Sequence, residues 1–420
     1  MIWFKQLENC CLEIDIEFYI RENNGGKLMF DSNFRKKNKL ITVFMIFLLI
    51  FIPNASVLAD DTEAFDLKLT AQSAILIETS TGRVIWEKDA DVRHYPASMT
   101  KMMTGILALE KLPPKADVVI SPNAAATEDC PLEIVAGECL SADNIITGML
   151  MESDNGAAVA IAEAVDGSVS QFVQRMNERA QEIGMSNTHF VNPNGLTEAN
   201  HYSTARDMAK LARFAMNNKK FREIVSTKNQ VIHWEVPARQ QKLAENTNKL
   251  LANYNGMNGI KTGWTEAAGG CLAASARRNG VELIAIVMQT PGPDDRFADA
   301  RKLLDYGFKQ VKMVKGIAKD RVSRKLWVRG GTSASVMAHP AEDINYPLIN
   351  GEDPKHYTLS YDVPKVITAP LKDGETVGRI IIKYDNKEVG SVPMISEKVE
   401  AGFSIGSWLV GFFAGLLEKI

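Results

Sequence analysis

Cysteine is scarce in this chain: 420 residues carry only five. That excludes a small disulfide-stapled scaffold. No C-x-x-C is present, and the histidines (His94, His189, His201, His233, His339 and His356) include no H-x-x-x-H pair. No catalytic metal and no stored cofactor are therefore expected. Lysine and arginine (48) nearly balance aspartate and glutamate (51), and no long basic run occurs, so nucleic acid is not an expected partner. The apolar run Leu40 to Ile52 is short for a bilayer span. What the chain does have is apolar content: at 45% hydrophobic residues it can build two domains with a sizeable core.

Arg35, Lys36, Lys37 and Lys39 precede that apolar run, and Val57-Leu58-Ala59 supplies small residues before Asp60-Asp61. This order is that of a secretory signal peptide, with cleavage expected after Ala59 and export as the consequence. Signal peptides begin close to their basic region, so translation is expected to start at Met29. Cys10 and Cys11 then fall outside the mature chain. Of Cys130, Cys139 and Cys271, the expected pair is Cys130 with Cys139, and two free thiols are the alternative.

The stretch Tyr95-Pro-Ala-Ser98-Met-Thr-Lys101 opens an apolar helical pattern through Met102, Met103, Ile106, Leu107 and Leu109. Spacing of i and i+3 puts the Ser98 hydroxyl and the Lys101 amine on one helix face. Serine needs a base to become a nucleophile, and an amine serves only if burial or a nearby cation keeps it neutral. Alone the pair is weak, since an ordinary helix start with a solvated lysine reads the same way, but Ser98 is the one serine here with lysine at i+3.

Downstream lie partners for that chemistry. Ser153-Asp154-Asn155 falls between two helical patterns, Ile145 to Met151 and Ala157 to Val165. A second hydroxyl can pass on a proton, and an Asn amide can hold a lysine and accept a substrate N–H, although the same residues are also common helix caps. Lys261-Thr262-Gly263-Trp264 precedes a hairpin turning at Asn279-Gly280, which places it on a strand where lysine and hydroxyl face one anionic group. Amphipathic helices are expected over Phe172–Ile183, Ser203–Met216 and Arg296–Phe308, with His201 on a surface loop. An N-terminal hairpin, Ala74-Ile-Leu-Ile-Glu with Gly82-Arg-Val-Ile-Trp-Glu, precedes them.

After about Val311 the pattern changes to short strands and turns. The expected division is 1–59 extension and signal peptide, 60–312 catalytic domain, 313–398 small all-β domain, and 399–420 amphipathic helix. On that last helix Ile405, Trp408, Leu409, Val410, Phe412, Phe413, Leu416, Leu417 and Ile420 share one face, opposite Ser404, Ser407, Gly411, Gly415 and Glu418. Such a helix is expected to lie in a membrane surface rather than cross it, with a helix packed on its own domain as the alternative. Gly402-Phe-Ser404-Ile-Gly406 matches G-x-S-x-G without the strand that a nucleophile elbow needs.

Ser98-x-x-Lys101, Ser153-x-Asn155 and Lys261-Thr262-Gly263, with Phe190-Val-Asn-Pro-Asn-Gly-Leu196 and His201-Tyr-Ser-Thr-Ala-Arg206, closely resemble the serine-type D-alanyl-D-alanine carboxypeptidases of peptidase family S11, the low-molecular-mass penicillin-binding proteins. The resemblance runs from about Leu67 to the C-terminus. It implies an α+β fold with a β-lactamase/transpeptidase-like catalytic domain, an antiparallel sheet with helices, then the all-β domain and the helix. It further implies attack by Ser98 on the penultimate D-alanine of a peptidoglycan stem, with Lys101 as base, its pKa lowered by Lys261 and burial. Ser153 and Asn155 would assist, Ser98 and Trp264 N–H groups would form the oxyanion hole, and Lys261, Thr262 and Arg296 would take the carboxylate. β-Lactam antibiotics would acylate Ser98. The tail would hold the enzyme on the outer face of the cytoplasmic membrane. Asp154 and Trp264 depart from the common family pattern. Two rivals remain: a class A-like β-lactamase, whose Glu-x-x-Leu-Asn loop is missing between Asn155 and Lys261, and a non-catalytic peptidoglycan- or penicillin-binding protein.

Overall fold

Burial on both faces of three long strands shapes the first part of the molecule. The computed structural model describes residues 67–417, within the unit formed by residues 65–420; the signal peptide, Met29, Cys10, Cys11, Glu418 and Ile420 lie outside the described residues. In β1 (Ser73–Glu78), β2 (Val84–Lys88), β7 (Met257–Thr265), β8 (Gly269–Arg278) and β9 (Val281–Thr290) the strand order is β2-β1-β9-β8-β7, antiparallel throughout. Ile284, Ile286 and Met288 face a helical core, while Leu283, Ala285 and Val287 face the opposite side, as the period of two demands.

The helical layer is built around α1 (Lys101–Lys111), in which Lys101 through Ala108 are all buried. Such all-round burial needs neighbours on every side. They are supplied by α3 (Ala142–Glu152), α4 (Asn155–Asp166), α5 (Val169–Glu182) and α6 (Ala205–Met216), with α7 (Lys219–Ser226) beside them. Across the sheet, α9 (Asp295–Gln310) buries Phe297, Ala300, Leu303 and Leu304 against the second face. Pairs of short strands sit outside these layers, β3 (Asp117–Val119) with β4 (Cys139–Ser141) and β5 (Asn229–His233) with β6 (Gln241–Glu245), along with the one-turn helices α2 (Pro122–Ala125) and α8 (Leu250–Asn253). The turn-rich reading of residues 113–137 missed β3 and α2, because a three-residue strand and a single turn are too short to set up a periodicity.

Cys130, Cys139 and Cys271 are all free thiols, so the expected Cys130–Cys139 pair is not formed. Cys130 Sγ instead donates to the Thr127 carbonyl at 3.0 Å and accepts from the Gly156 N–H at 3.1 Å, which fixes it over the start of α4.

The remainder is β-rich. β10 (Val311–Ile317) pairs with β13 (Ile344–Ile349). A six-stranded sheet has the order β14 (Tyr357–Asp362), β16 (Glu375–Tyr384), β17 (Lys387–Ser396), β12 (Ser335–Pro340), β11 (Arg324–Arg329), β15 (Val366–Thr368), over a core that includes Leu326, Val328, Ile380 and Met394. Arg83, after the β1 hairpin turn, joins the two parts by donating to Glu352 Oε1 at 2.5 Å, the Pro347 carbonyl at 2.6 Å and Tyr357 Oη at 2.7 Å.

The final helix, α10 (Ile405–Leu417), packs its small-residue side on the β sheet: Ser407, Val410 and Ala414 are buried. Val410 therefore faces inward, unlike its place on the expected apolar face. Ile405, Trp408, Phe412 and Phe413 are left exposed, with Phe403 just before them. Among the described residues no helix is long and apolar enough to cross a membrane. A Val410→Asp variant forces a carboxylate into the seam, where it has no partner. Amide exchange in 405–417 is expected to accelerate while that of β7 to β9 stays unchanged; equal exchange in both regions would show that the seam does not hold the helix.

Candidate active site

Ala97, at φ +47°, turns the chain into a short 3-10 segment, Ala97–Thr100, that runs straight into α1. Two glycines make room for this start. A Cβ on Gly195, itself at φ +90°, would fall 2.0 Å from the Ala97 carbonyl oxygen, and one on Gly263 would fall 3.1 Å from the Ser98 nitrogen. Only a residue without a side chain fits at 195, and at 263 a side chain would need the 96–98 backbone to give by a few tenths of an ångström. The loop 192–195 and strand β7 thus close on Ser98 from two directions.

Lys101 is fully buried one turn beyond. Its Nζ lies 3.0 Å from Ser98 Oγ, 2.6 Å from Asn155 Oδ1 and 2.7 Å from the Asn194 carbonyl. Burial pushes its pKa down to about 7, against the opposing pull of the Asp154 carboxylate. A neutral amine has two hydrogens and one lone pair. The Asn155 and Asn194 oxygens can only accept, so they take both hydrogens and leave the lone pair for the Ser98 O–H.

The Ser153-Asp154-Asn155 segment is the junction of α3 and α4. Ser153 ends α3 in the left-handed region at φ +69°, and Asp154 caps α4 by accepting from the Ala157 N–H at 2.7 Å. The second Asp154 oxygen accepts from the Leu132 N–H at 2.8 Å, and Asn155 Nδ2 donates to the Glu128 carbonyl at 3.0 Å. With Cys130, these contacts strap residues 128–132 across the start of α4. The amide of Asn155 is thereby oriented with its oxygen toward Lys101. Capping and lysine binding, which competed as readings of this motif, are both served by it, on adjacent residues.

Lys261, Thr262 and Gly263 lie on β7, at the edge of the sheet. Lys261 is 1% exposed, and Nζ donates to the Thr262 carbonyl at 3.1 Å. Burial first, then the charges of Lys101 and Arg296, hold its pKa well below the usual lysine range. Of the two causes expected to lower Lys101, burial is the one that does so, and Lys261 is not among its causes. Thr262 Oγ1 is 2.6 Å from Thr247 Oγ1, and Arg296 Nη1 donates to the Gly263 carbonyl at 2.5 Å while its Nε is buried without a partner. Arg296 therefore brings a cation to β7 beside Lys261, an amine that an arriving anion would recharge, as an anion-binding site requires. Trp264 stands further along the strand, 42% exposed.

Sequence reasoning missed the loop 191–194. Besides the Asn194 carbonyl, the Pro193 carbonyl accepts from Thr104 Oγ1 at 2.5 Å. Backbone carbonyls carry no side-chain signature, and only the quoted Phe190–Leu196 stretch hinted at them. His201, expected on the surface, is buried at 1% exposure and bonded to Thr100. Its position before a capped helix concealed that the loop folds back over α1.

Comparison with known proteins agrees with this geometry. The D-alanyl-D-alanine carboxypeptidase profile, peptidase S11, matches residues 59–292, and that of the penicillin-binding protein 5 C-terminal domain matches 308–401. The chain belongs to the D-alanyl-D-alanine carboxypeptidase family. Among its relatives, D-alanyl-D-alanine carboxypeptidase DacF of Bacillus subtilis is 32% identical over 376 residues, 86% of this chain and 96% of its own. DacC of Escherichia coli is 31% identical, over 86% of this chain and 91% of its own. Penicillin-binding protein 5 from Haemophilus influenzae superposes with TM-score 0.59 at 29% identity, over 79% of this chain and 98% of that one.

Because a base must be unprotonated, acylation of Ser98 is expected to slow tenfold per pH unit below about 7, where Lys101 takes up its proton. Pre-steady-state acylation rates measured from about pH 5 to 9 check this. A flat profile would remove Lys101 from the role of base.

Proposed function

We propose that this protein removes the terminal D-alanine from peptidoglycan stem peptides ending in D-Ala-D-Ala, through an ester formed on Ser98. The observation that carries the reading is the set of acceptors around Lys101, which aims its lone pair at Ser98 Oγ. Substrate lies extended along the open edge of β7, as a strand added to the sheet. Its carboxylate meets Lys261, Thr262 and Arg296, and Gly263 allows the close approach. Binding a carboxylate favours the charged form of Lys261, so the lysine takes up a proton as substrate binds.

Ser98 Oγ then attacks the carbonyl of the penultimate D-alanine while Lys101 takes its proton. The Ser98 and Trp264 N–H groups stabilise the oxyanion. The Ser153 hydroxyl relays a proton to the departing amine, Asn155 keeps Lys101 in place, and water hydrolyses the ester. Penicillins acylate the same serine, because their ring carbonyl occupies the position of the scissile one. No metal or cofactor enters these steps. The proposed division is 60–312 catalytic, 313–398 all-β and 399–420 membrane-associated, on an exported protein at the outer face of the cytoplasmic membrane. The signal-peptide pattern and the exposed apolar side of α10 support that location.

Purified protein is expected to release free D-alanine from diacyl-Lys-D-Ala-D-Ala, with release lost in Ser98→Ala. Fast hydrolysis of penicillin would instead mark a β-lactamase, and peptide binding without release a non-catalytic binding protein. The full chain is expected to co-sediment with phospholipid vesicles, whereas a Trp408→Ser/Phe412→Ser variant stays in the supernatant and keeps its D-alanine release. Equal sedimentation of both proteins would end the membrane reading.

A further inference from the structure

His201 uses both ring nitrogens. The Val191 N–H donates to Nδ1 at 3.1 Å, and Nε2 lies 2.8 Å from Thr100 Oγ1. A neutral imidazole carries one hydrogen; since Nδ1 accepts, that hydrogen sits on Nε2 and is donated to the Thr100 hydroxyl. Burial, with the charges of His189 and Lys101, pushes the imidazolium pKa down to about 4, so this neutral tautomer persists at working pH. The ring stands edge-on to buried Phe190, 5.7 Å between centroids, and Asn177 grips the Phe190 backbone at both its N–H (2.9 Å) and its carbonyl (2.8 Å). The histidine is therefore held in a fixed frame rather than resting on a mobile loop.

Both of its bonds end close to atoms on which the proposed chemistry depends. Thr100 adjoins Lys101 on the helix start, and Val191 opens the stretch whose Asn194 carbonyl takes a Lys101 hydrogen. The Thr104 bond to the Pro193 carbonyl ties the same stretch one turn further along α1. Thr100 and Thr104 thus flank Lys101 in sequence, Thr104 fastened to the loop directly and Thr100 through His201.

We propose that His201 is a positioning residue for the acylation step. By accepting from the loop and donating to the helix start, it fixes the separation of the two and hence the direction in which the Lys101 lone pair points. It touches neither substrate nor Ser98 in this role, which rests on the Ser98–Lys101 reading above. Displacing the Asn194 carbonyl would free one Lys101 hydrogen to turn toward Ser98, and an amine donating to the serine cannot at that moment accept its proton.

The test measures acylation of the full chain by benzylpenicillin, separating the limiting rate constant from the half-saturating concentration. His201→Leu is expected to lower the limiting rate roughly 10- to 100-fold, in line with the cost of small misplacements in catalytic geometry, and to leave the half-saturating concentration unchanged. His201→Gln, with one acceptor and one donor at its tip, restores most of the rate. Thr100→Val, which removes the hydroxyl while keeping the shape, reproduces the fall, and combining it with His201→Leu lowers the rate no further. Should His201→Leu not fold, the other two single variants decide the question.

An unchanged limiting rate in a folded His201→Leu or Thr100→Val overturns the proposal. So does a change confined to the half-saturating concentration, or a His201→Gln variant as slow as His201→Leu. A wild-type protein that takes no penicillin at Ser98 would overturn the underlying serine–lysine reading, an outcome distinct from normal wild-type acylation with insensitive variants.

Discussion

The structure of the site turns on burying a lysine amine with no carboxylate hydrogen-bonded to it. Lys101 is out of contact with solvent, and its three neighbours within bonding distance are a hydroxyl, an amide oxygen and a backbone carbonyl. An ion pair would have kept the amine charged and useless as a base; neutral acceptors instead satisfy its hydrogens while burial drives the proton off. The acidic group that pulls most on Lys101, Asp154, directs its oxygens at the Ala157 and Leu132 N–H groups. Its field still raises the Lys101 pKa, though less than burial lowers it. The Asp154 carboxyl is itself pushed upward, burial again being the largest cause.

That arrangement works against stability. Lys101 titrates near 7 in the folded protein and near 10.5 as a free side chain. Between those values the unfolded chain binds more protons than the native one, so stability rises with pH across the window, and below about 7 the unfavourable contribution is present in full. Lys261 has the same sign, with burial as the first cause and Lys101 as the second. Two buried lysines, with the charge of Lys101 disfavouring that of Lys261, form a site tuned for an arriving anion, at the expense of the empty protein. The surrounding core is what tolerates this: α1 is buried on all sides, and its neighbours fill the helical layer.

How much of this was legible depended on what kind of group did the work. The Ser98 and Lys101 pairing, the Lys261 strand and the Asn279-Gly280 hairpin are side-chain or turn signals at fixed spacing, and each forms the element its spacing indicated. Asn155 reaching Lys101 was legible only in company, because Ser, Asp and Asn at a helix junction read equally well as caps, and it is Asp154 that caps while Asn155 reaches the lysine. The Asn194 and Glu128 carbonyls were not, since every residue has one and only the fold selects among them. His201 misled for a related reason: residues 197–200 before it are indeed exposed, yet His201 itself turns inward beside the buried stretch 192–195 that carries the Asn194 carbonyl down to α1. The Cys130 pairing failed because the thiol is consumed locally, by Thr127 and Gly156.

The C-terminal helix shows the limit of reading one face from a helical wheel. A wheel ranks residues by polarity, and on that scale Val410 belongs with Trp408 and Phe412. Packing ranks them by size instead: the sheet beneath accepts Ser407, Val410 and Ala414, and bulk at those places would hold the helix away from it. The large aromatic residues are thereby left on the outer side, with Trp408 stacked on Phe412 and Phe412 edge-on to Phe413. A helix with two packing requirements satisfies both only by placing its small residues inward. The exposed aromatic cluster is thus the complement of a seam that had no room for it.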